Sequence, residues 1–125
     1  MNGRPSIPPG LTAELLLDVF DLPISFHRCL VPITGGVTAA LMLSQAIWTS
    51  EALDPEVGGW FCRSQEEWTE ETGLSRWEQE TARRALRSGG FLEERRAGMP
   101  AKLWFRVRPE AVGRALQAHA NPVRQ

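Results

Sequence analysis

Two helix-start signals separated by one short turn constrain this chain more than any other feature. Ser64-Gln65-Glu66-Glu67 and Ser75-Arg76-Trp77-Glu78 both read Ser-x-x-Glu, the capping box in which serine and glutamate satisfy each other's free backbone N–H groups. The first helix is expected to end at Gly73, and the second to run over residues 76–88 and end at a pair of glycines. Two helices joined by so short a connection form a helix-turn-helix unit.

The segments around this unit predict strands and a closing helix. Trp60-Phe61-Cys62-Arg63, just before it, is short and apolar and suits a single strand. After it, Lys102–Arg108 alternates between apolar and polar side chains, which is the period of a half-buried strand. Paired with the strand predicted to begin at Phe91, it forms a hairpin. Pro109 opens a last amphipathic helix, so the order of elements is that of a winged helix.

The N-terminal part of the sequence predicts further helices. Residues 1–10 are rich in proline and glycine and are expected to form a flexible arm. Leu11–Phe20 has one apolar face, made by Leu15, Leu16, Val19 and Phe20. Residues 37–50 are apolar nearly all round, which predicts a central, buried helix.

The expected fold class is therefore α+β, mostly helical: a winged helix-turn-helix with extra N-terminal helices and a C-terminal helix. The length of 125 residues suits a single domain. We expect this domain to span residues 11–120, with the helix-turn-helix at 64–88, the wing hairpin at 91–108 and a tail at 121–125.

Several classes of protein are disfavoured by what the sequence lacks. Cys29 and Cys62 lie far apart with no histidine at ligand spacing, so we expect two core thiols and no metal site. No phosphate-binding glycine motif or nucleophile motif occurs, and His27 and His119 stand alone, so we expect no catalysis and no cofactor. The start lacks a secretory signal and the apolar run at 37–48 is too short to span a bilayer, so we expect a soluble, cytoplasmic protein without a membrane partner.

The distribution of charge gives the first functional indication. The net charge is only −1, but residues 1–62 carry six acidic and two basic side chains, while residues 75–108 carry nine basic and four acidic ones. A surplus of basic side chains confined to the second helix and the hairpin favours an anionic partner there.

A helical wheel sorts the second helix into two faces. Ala82 and Leu86, with Ser75 and Gln79 nearby, face the first helix and the core, and the opposite half carries Arg76, Trp77, Glu80, Arg83, Arg84 and Arg87. Near the start of the helix, the fork of Arg76 suits a guanine edge. Farther along, Arg84 and Arg87 suit phosphates. Glu80 either accepts from cytosine or orients Arg76 or Arg84.

The remaining candidates surround this helix. Arg95, Arg96 and Lys102 are expected at the hairpin tip, within reach of the adjacent nucleic-acid backbone, and Arg63 precedes a helix N-terminus that could also hold a phosphate. The full set of candidate DNA-binding residues is Arg63, Ser75, Arg76, Trp77, Glu80, Thr81, Arg83, Arg84, Arg87, Arg95, Arg96 and Lys102.

Two alternatives stay open for these residues. The arginine-rich face is equally typical of a solvated helix with internal ion pairs, such as Glu80 with Arg84. Trp77 either contacts DNA or packs against Trp68 or the N-terminal segment.

Several short stretches resemble a winged-helix family found in phage and plasmid replication proteins, the N-terminal domains of replisome organisers and initiators. The stretches are Phe26-His27-Arg28, Pro32-Ile33-Thr34-Gly35, Leu43-Ser44-Gln45, Gly59-Trp60-Phe61, Thr72-Gly73-Leu74-Ser75-Arg76, Glu78-Gln79-Glu80-Thr81-Ala82-Arg83, Gly90-Phe91-Leu92-Glu93 and Gly98-Met99-Pro100-Ala101-Lys102-Leu103. Together they cover about two-thirds of the chain, and the Gly-Leu-Ser-Arg piece recurs in many winged helices.

The resemblance implies binding of double-stranded DNA in replication initiation, with other replication proteins as partners. A small transcriptional or copy-number regulator is an alternative. So is a protein–protein interaction module that uses the same surface without DNA, which the net charge of −1 favours. A homodimer, through the N-terminal helices or residues 112–119, is also open.

Overall fold

The computed structural model describes residues 26–120, so the predicted arm, the predicted helix at 11–20 and the tail lie outside the described residues. The helices are α1 (Val31–Thr34), α2 (Val37–Glu51), α3 (Gln65–Thr72), α4 (Arg76–Ser88) and α5 (Pro109–Ala120), with 3₁₀ turns at Arg28–Leu30 and Pro55–Val57. The strands are β1 (Trp60–Cys62), β2 (Leu92–Ala97) and β3 (Lys102–Val107). This is an α+β, mostly helical fold, as the sequence predicts, and its order of elements is compatible with a winged helix.

Both predicted capping boxes form, and they fix where α3 and α4 begin. The Ser64 hydroxyl accepts from the Glu67 N–H at 3.0 Å and the Glu67 carboxylate accepts from the Ser64 N–H at 2.8 Å. Ser75 and Glu78 repeat the arrangement at the start of α4. Helix α3 ends at Gly73, whose φ of 77° lies in the left-handed region that favours glycine.

A buried amide holds the two helices of this unit together. Gln79 of α4 is only 1% exposed, and its Nε2 lies 2.9 Å from Thr69 Oγ1, 3.0 Å from the Leu74 carbonyl and 3.1 Å from the Gln65 carbonyl. These acceptors belong to α3 and to the turn. A single side chain therefore ties α3, the turn and α4 into one unit.

The three strands form an antiparallel sheet in the order β1-β3-β2. Strand β3 pairs with β1 through Phe61 and Phe105 and with β2 through Glu94 and Phe105, so these three residues share one face of the sheet. That inner face is turned toward the helices, because Phe61 and Phe105 are buried. The predicted hairpin is confirmed, and β2 extends to Ala97.

The core is built around α2, which packs against α3, α4 and the sheet. Phe61, Trp68 and Phe105 form an aromatic cluster with ring centroids 5.4–6.2 Å apart. The predicted central, buried helix is confirmed for the middle of α2, where residues 42–46 are all buried, while Val37 and Trp48 near its two ends are 60% and 55% exposed. One expectation is wrong here. Cys29 is exposed because it lies in the 3₁₀ turn at the edge of the core, so it is not a core thiol.

Within residues 26–120, no single helix is long and apolar enough to cross a membrane. The stretch Arg28–Thr34 and helix α2 are long and apolar enough only when taken together, and the two are bent by 120° relative to each other.

Candidate nucleic-acid interface

The start of α4 presents an exposed group of polar and aromatic side chains. Arg76 and Glu80 form an i,i+4 ion pair at 3.4 Å with side chains 75% and 45% exposed. Of the partners left open for Glu80, the structure therefore selects Arg76. Trp77 is 73% exposed, so it does not pack into the core beside Trp68. A surface ion pair of this kind contributes little stability and opens at small cost, so both Arg76 and Trp77 remain available to a ligand.

Arg83, farther along α4, is not free, contrary to its position on the predicted exposed face. Its Nε and Nη2 each donate to a carboxylate oxygen of Glu94 on β2, both at 2.8 Å. The two side chains are only 16% and 6% exposed. The hydrogen bond to Glu94 raises the pKa of Arg83 further above its ordinary value, against the opposing effect of burial. This arginine joins the helix to the hairpin and is poorly placed for a base edge.

Arg84 and Arg87 differ in how they are engaged. Arg87 donates to Glu94 at 3.3 Å and keeps half of its side chain exposed. Arg84 is exposed, and no ion pair to it is found within residues 26–120. Both can therefore reach a phosphate, Arg84 without giving up a partner.

The hairpin carries its cations on both faces of the sheet. Arg95 points to the outer face, where its guanidinium carbon lies 4.6 Å from the ring centroid of Trp60, a cation–π contact. Arg96 and Lys102 are exposed, and the described part of the chain gives neither an ion-pair partner. Arg96 shares the inner face with Glu94, because the two are two residues apart on one strand.

A cleft of about 380 Å³ lies between the start of α3 and the hairpin. Among residues 26–120, four cationic side chains line it: Arg63, Arg83, Arg96 and Lys102. Arg63 pairs with Glu71 at 2.7 Å, and Glu67, which also lines the cleft, is held in the capping box of Ser64. The cleft thus combines unpaired positive charge with a helix N-terminus, and these features suit a phosphate.

The last two candidates from α4 are Ser75 and Thr81. The Ser75 hydroxyl accepts from the Glu78 N–H at 3.2 Å as the helix cap, so its observed task is to start the helix. Thr81 is half-buried on the side of α4. Ser75 lies directly beside Arg76 in the chain and is exposed, but its hydroxyl is engaged by the helix backbone.

Sequence reasoning missed Glu94 as part of this surface. Glu94 fixes the position of Arg83 and Arg87, and so the position of the hairpin relative to α4. Strict alternation along β2 places residue 94 on the same face as Leu92, which is buried. An inward carboxylate beside an arginine-rich helix is a signal that pattern analysis could have used.

Helix α3 contributes acidic side chains near the same surface. Glu66, Glu67 and Glu70 are exposed, and Glu66 and Glu70 line a shallow groove together with Arg76 of α4. The exposed start of α4 is therefore bordered by cations toward the hairpin and by carboxylates toward α3. No group of three or more His, Cys, Asp or Glu side chains that could hold a metal lies within residues 26–120.

Comparison with known proteins gives one similar structure. No family model matches the sequence, and no curated protein matches it. The chain resembles a solved structure described as the N-terminal domain of a DNA binding protein, with a TM-score of 0.45 and 16% sequence identity. The likeness covers 92% of this chain and 97% of that one.

Proposed function

We propose that this protein binds double-stranded DNA through its helix-turn-helix and hairpin, without catalysing a reaction. The observation that carries the proposal is a set of three exposed cations on α4 and on the hairpin. Arg84 stands on α4, and Arg96 and Lys102 stand on the hairpin, all three exposed and with no ion pair among the described residues. A cation without an ion-pair partner can turn toward a ligand without breaking an interaction within the protein. Arginine and lysine side chains spaced along a surface are the usual contacts to a phosphate backbone.

In this proposal α4 enters the major groove by its N-terminal end. Arg76 and Trp77 are exposed there, so Arg76 can contact a guanine and Trp77 can contact a thymine methyl or the sugar edge. Arg84 and Arg87, later on the helix, contact phosphates. The hairpin contacts the adjacent backbone through Arg96 and Lys102, and Glu94 sets its distance from α4.

The biological role we propose is replication initiation of the phage or plasmid type, with replication proteins as further partners. It is supported by the resemblance of the short sequence stretches between Phe26 and Leu103 to that family. A small transcriptional or copy-number regulator would use the same surface.

A second candidate function is protein binding without DNA. The exposed carboxylates of Glu66 and Glu70 favour it, because the first helix of a helix-turn-helix crosses the DNA backbone and carboxylates there repel phosphates. This candidate predicts that duplex affinity is absent even at low salt.

The test is a fluorescence anisotropy titration of a labelled duplex at several salt concentrations. For Arg84→Ala combined with Arg87→Ala, we expect the slope of log K against log salt to shrink by about 1.8, since each phosphate contact contributes about 0.9. Arg28→Ala combined with Arg114→Ala is the matched control. It removes two exposed arginines from outside the surface and should leave the slope unchanged.

Two results would contradict the proposal. One is a wild-type chain that does not bind duplex DNA at low salt. The other is an equal change of slope in the two double variants, which would mean that binding follows total charge and not this surface.

A further inference from the structure

The outer face of the sheet carries tryptophans and arginines side by side. Trp60 lies opposite Arg106, and Arg95 lies opposite Trp104. These four residues alternate with the inward-facing residues of their strands, so they share the outer face, which points away from the helices. Arg95 is exposed and the other three are half-buried. All four therefore reach the surface, and together they form what we call the sheet patch.

Contacts within the sheet patch hold the two indole rings in place. The guanidinium carbons of Arg95 and Arg106 lie 4.6 and 4.8 Å from the ring centroid of Trp60. The indole N–H of Trp104 donates to the Ala97 carbonyl of the neighbouring strand at 3.3 Å. The two tryptophans are diagonal neighbours on adjacent strands, roughly 7–8 Å apart at the backbone. A ligand would meet two rings whose positions are already set.

The charge of the sheet patch is not fully compensated. The carboxylate of Glu93 accepts from Arg106 at 2.6 Å and from Arg108 at 2.9 Å. Arg108 also lies 3.9 Å from Glu110 at the start of α5. For Arg95, by contrast, no ion pair is found within residues 26–120. The free positive charge beside the two rings is therefore that of Arg95, and it favours an anionic ligand.

Aromatic rings beside a free cation match the chemistry of an unpaired nucleic-acid strand. The bases of such a strand expose their flat faces, which stack on aromatic side chains, and its phosphates bind arginine. A duplex offers no such faces along its length, because its bases are stacked on one another and show only their edges in the grooves. The sheet patch thus fits a single strand better than a duplex.

We propose that the sheet patch binds single-stranded DNA. One base stacks on the ring of Trp104, and a second base takes the place of the Arg95 guanidinium on the ring of Trp60. The released guanidinium then binds the phosphate that links the two bases. This exchange is favourable because base–aromatic stacking is stronger than a cation–π contact at an exposed site, and it breaks no ion pair of Arg95.

The sheet patch and the candidate nucleic-acid interface lie on different sides of the sheet. Helix α4 is joined to the inner face through Arg83 and Glu94, whereas the sheet patch is on the outer face. Binding of a single strand therefore goes beyond the proposed duplex binding and does not depend on it. Only the choice of DNA over RNA rests on the proposed function.

The test is a fluorescence anisotropy titration of the full chain with a labelled oligothymidylate of about twelve nucleotides at several salt concentrations. Arg95→Ala should weaken binding and reduce the slope of log K against log salt by about 0.7, the contribution of one phosphate contact on a single strand. Arg114→Ala, which removes an exposed arginine of α5, is the matched control and should change neither.

Trp104→Leu tests the stacking. It removes the ring but keeps an apolar side chain at a half-buried position, so affinity should fall by about tenfold while the salt slope stays constant. Trp77→Ala removes an exposed tryptophan of α4 and should leave oligothymidylate binding unchanged. Circular dichroism checks the fold of each variant. Arg95→Ala changes an exposed side chain and decides the matter if Trp104→Leu does not fold.

Four results would overturn the proposal. They are a wild-type chain that does not bind oligothymidylate at low salt, an equal change of slope in Arg95→Ala and Arg114→Ala, a larger loss of affinity in Trp77→Ala than in Trp104→Leu, and tighter binding of oligouridylate than of oligothymidylate. Arg84→Ala combined with Arg87→Ala should leave oligothymidylate binding unchanged, so a failure here is distinguishable from a failure of duplex binding.

Discussion

Arg83 and Glu94 bind each other through two parallel hydrogen bonds of 2.8 Å that join α4 to the hairpin. The guanidinium also lies 5.9 Å from the ring centroid of Phe105, so the pair rests on the core. Glu94 holds Arg87 as well, at 3.3 Å. One carboxylate therefore orders two of the arginines of α4, and only Arg87 of these two stays open to a ligand.

Glu94→Gln should destabilise the protein clearly. The substitution removes the charge that compensates Arg83, whose side chain is only 16% exposed, and we expect a loss of about 2–3 kcal/mol in the free energy of unfolding. Urea unfolding measures it. Glu70→Gln makes the same chemical change on an exposed side chain of α3 and should cost less than about 0.5 kcal/mol. Equal midpoints for both variants would show that the Arg83–Glu94 pair does not support the fold.

Ser75→Ala should lower stability through the loss of a helix cap. The hydroxyl of Ser75 accepts from the Glu78 N–H, and removing such a cap costs about 1 kcal/mol. Ser75→Asp keeps an acceptor at this position and should recover most of the loss. Thermal unfolding of the three proteins checks this. An alanine variant as stable as the wild type would mean that the Glu78 half of the capping box suffices.

Glu93 makes part of the stability dependent on pH. The hydrogen bond from Arg106 lowers the pKa of Glu93 below its ordinary value of 4.5, with a smaller contribution from Arg108. Because the pKa is lower in the folded state, ionised Glu93 contributes its full stabilisation above pH 4.5 and loses it as the pH falls through the lowered value.

The check is urea unfolding at about pH 7 and about pH 3. The wild type should lose more stability between these two values than Glu93→Gln, which has no group to titrate at this position. The difference should be small, because the Glu93 side chain is 34% exposed and solvent screens the ion pair. Identical losses in the two proteins would exclude this contribution.

Trp77→Ala should separate apolar contact from charge in DNA binding. Trp77 is 73% exposed, so the variant should unfold at the same temperature as the wild type. If Trp77 contacts DNA as proposed, affinity should fall by about tenfold, since tryptophan is a frequent energetic centre of interfaces, while the salt slope stays constant. An unchanged affinity would remove Trp77 from the interface, and a changed slope would mean that the variant has shifted the arginines.

The local elements were predictable from the sequence because their signals are local. The two capping boxes place the starts of α3 and α4 correctly, and Gly73 places the end of α3. Alternation in Lys102–Val107 gives the strand and its two faces.

The state of each cation was not predictable, because its partner is distant in sequence. The wheel places Arg83 on the exposed half of α4, but Glu94 on β2 draws it inward. Arg63 is paired by Glu71 on the helix that follows it, and Arg95 stacks on Trp60 across the sheet. Counting charges along the sequence therefore overestimates the number of cations that are available to a ligand, because tertiary contacts decide which of them are already paired within the protein.

The pairing of β1 with β3 has a consequence for how the protein opens. These two strands lie side by side in the sheet, and β2, the strand that follows the helix-turn-helix, pairs with the other edge of β3, so residues 63–91 leave the sheet after β1 and return to it at β2. Helix α3, the turn and α4 are thus anchored to the sheet at both ends, through the pairing of β1 and of β2 with β3. Their slowest amide protons should accordingly exchange with solvent as one cooperative unit.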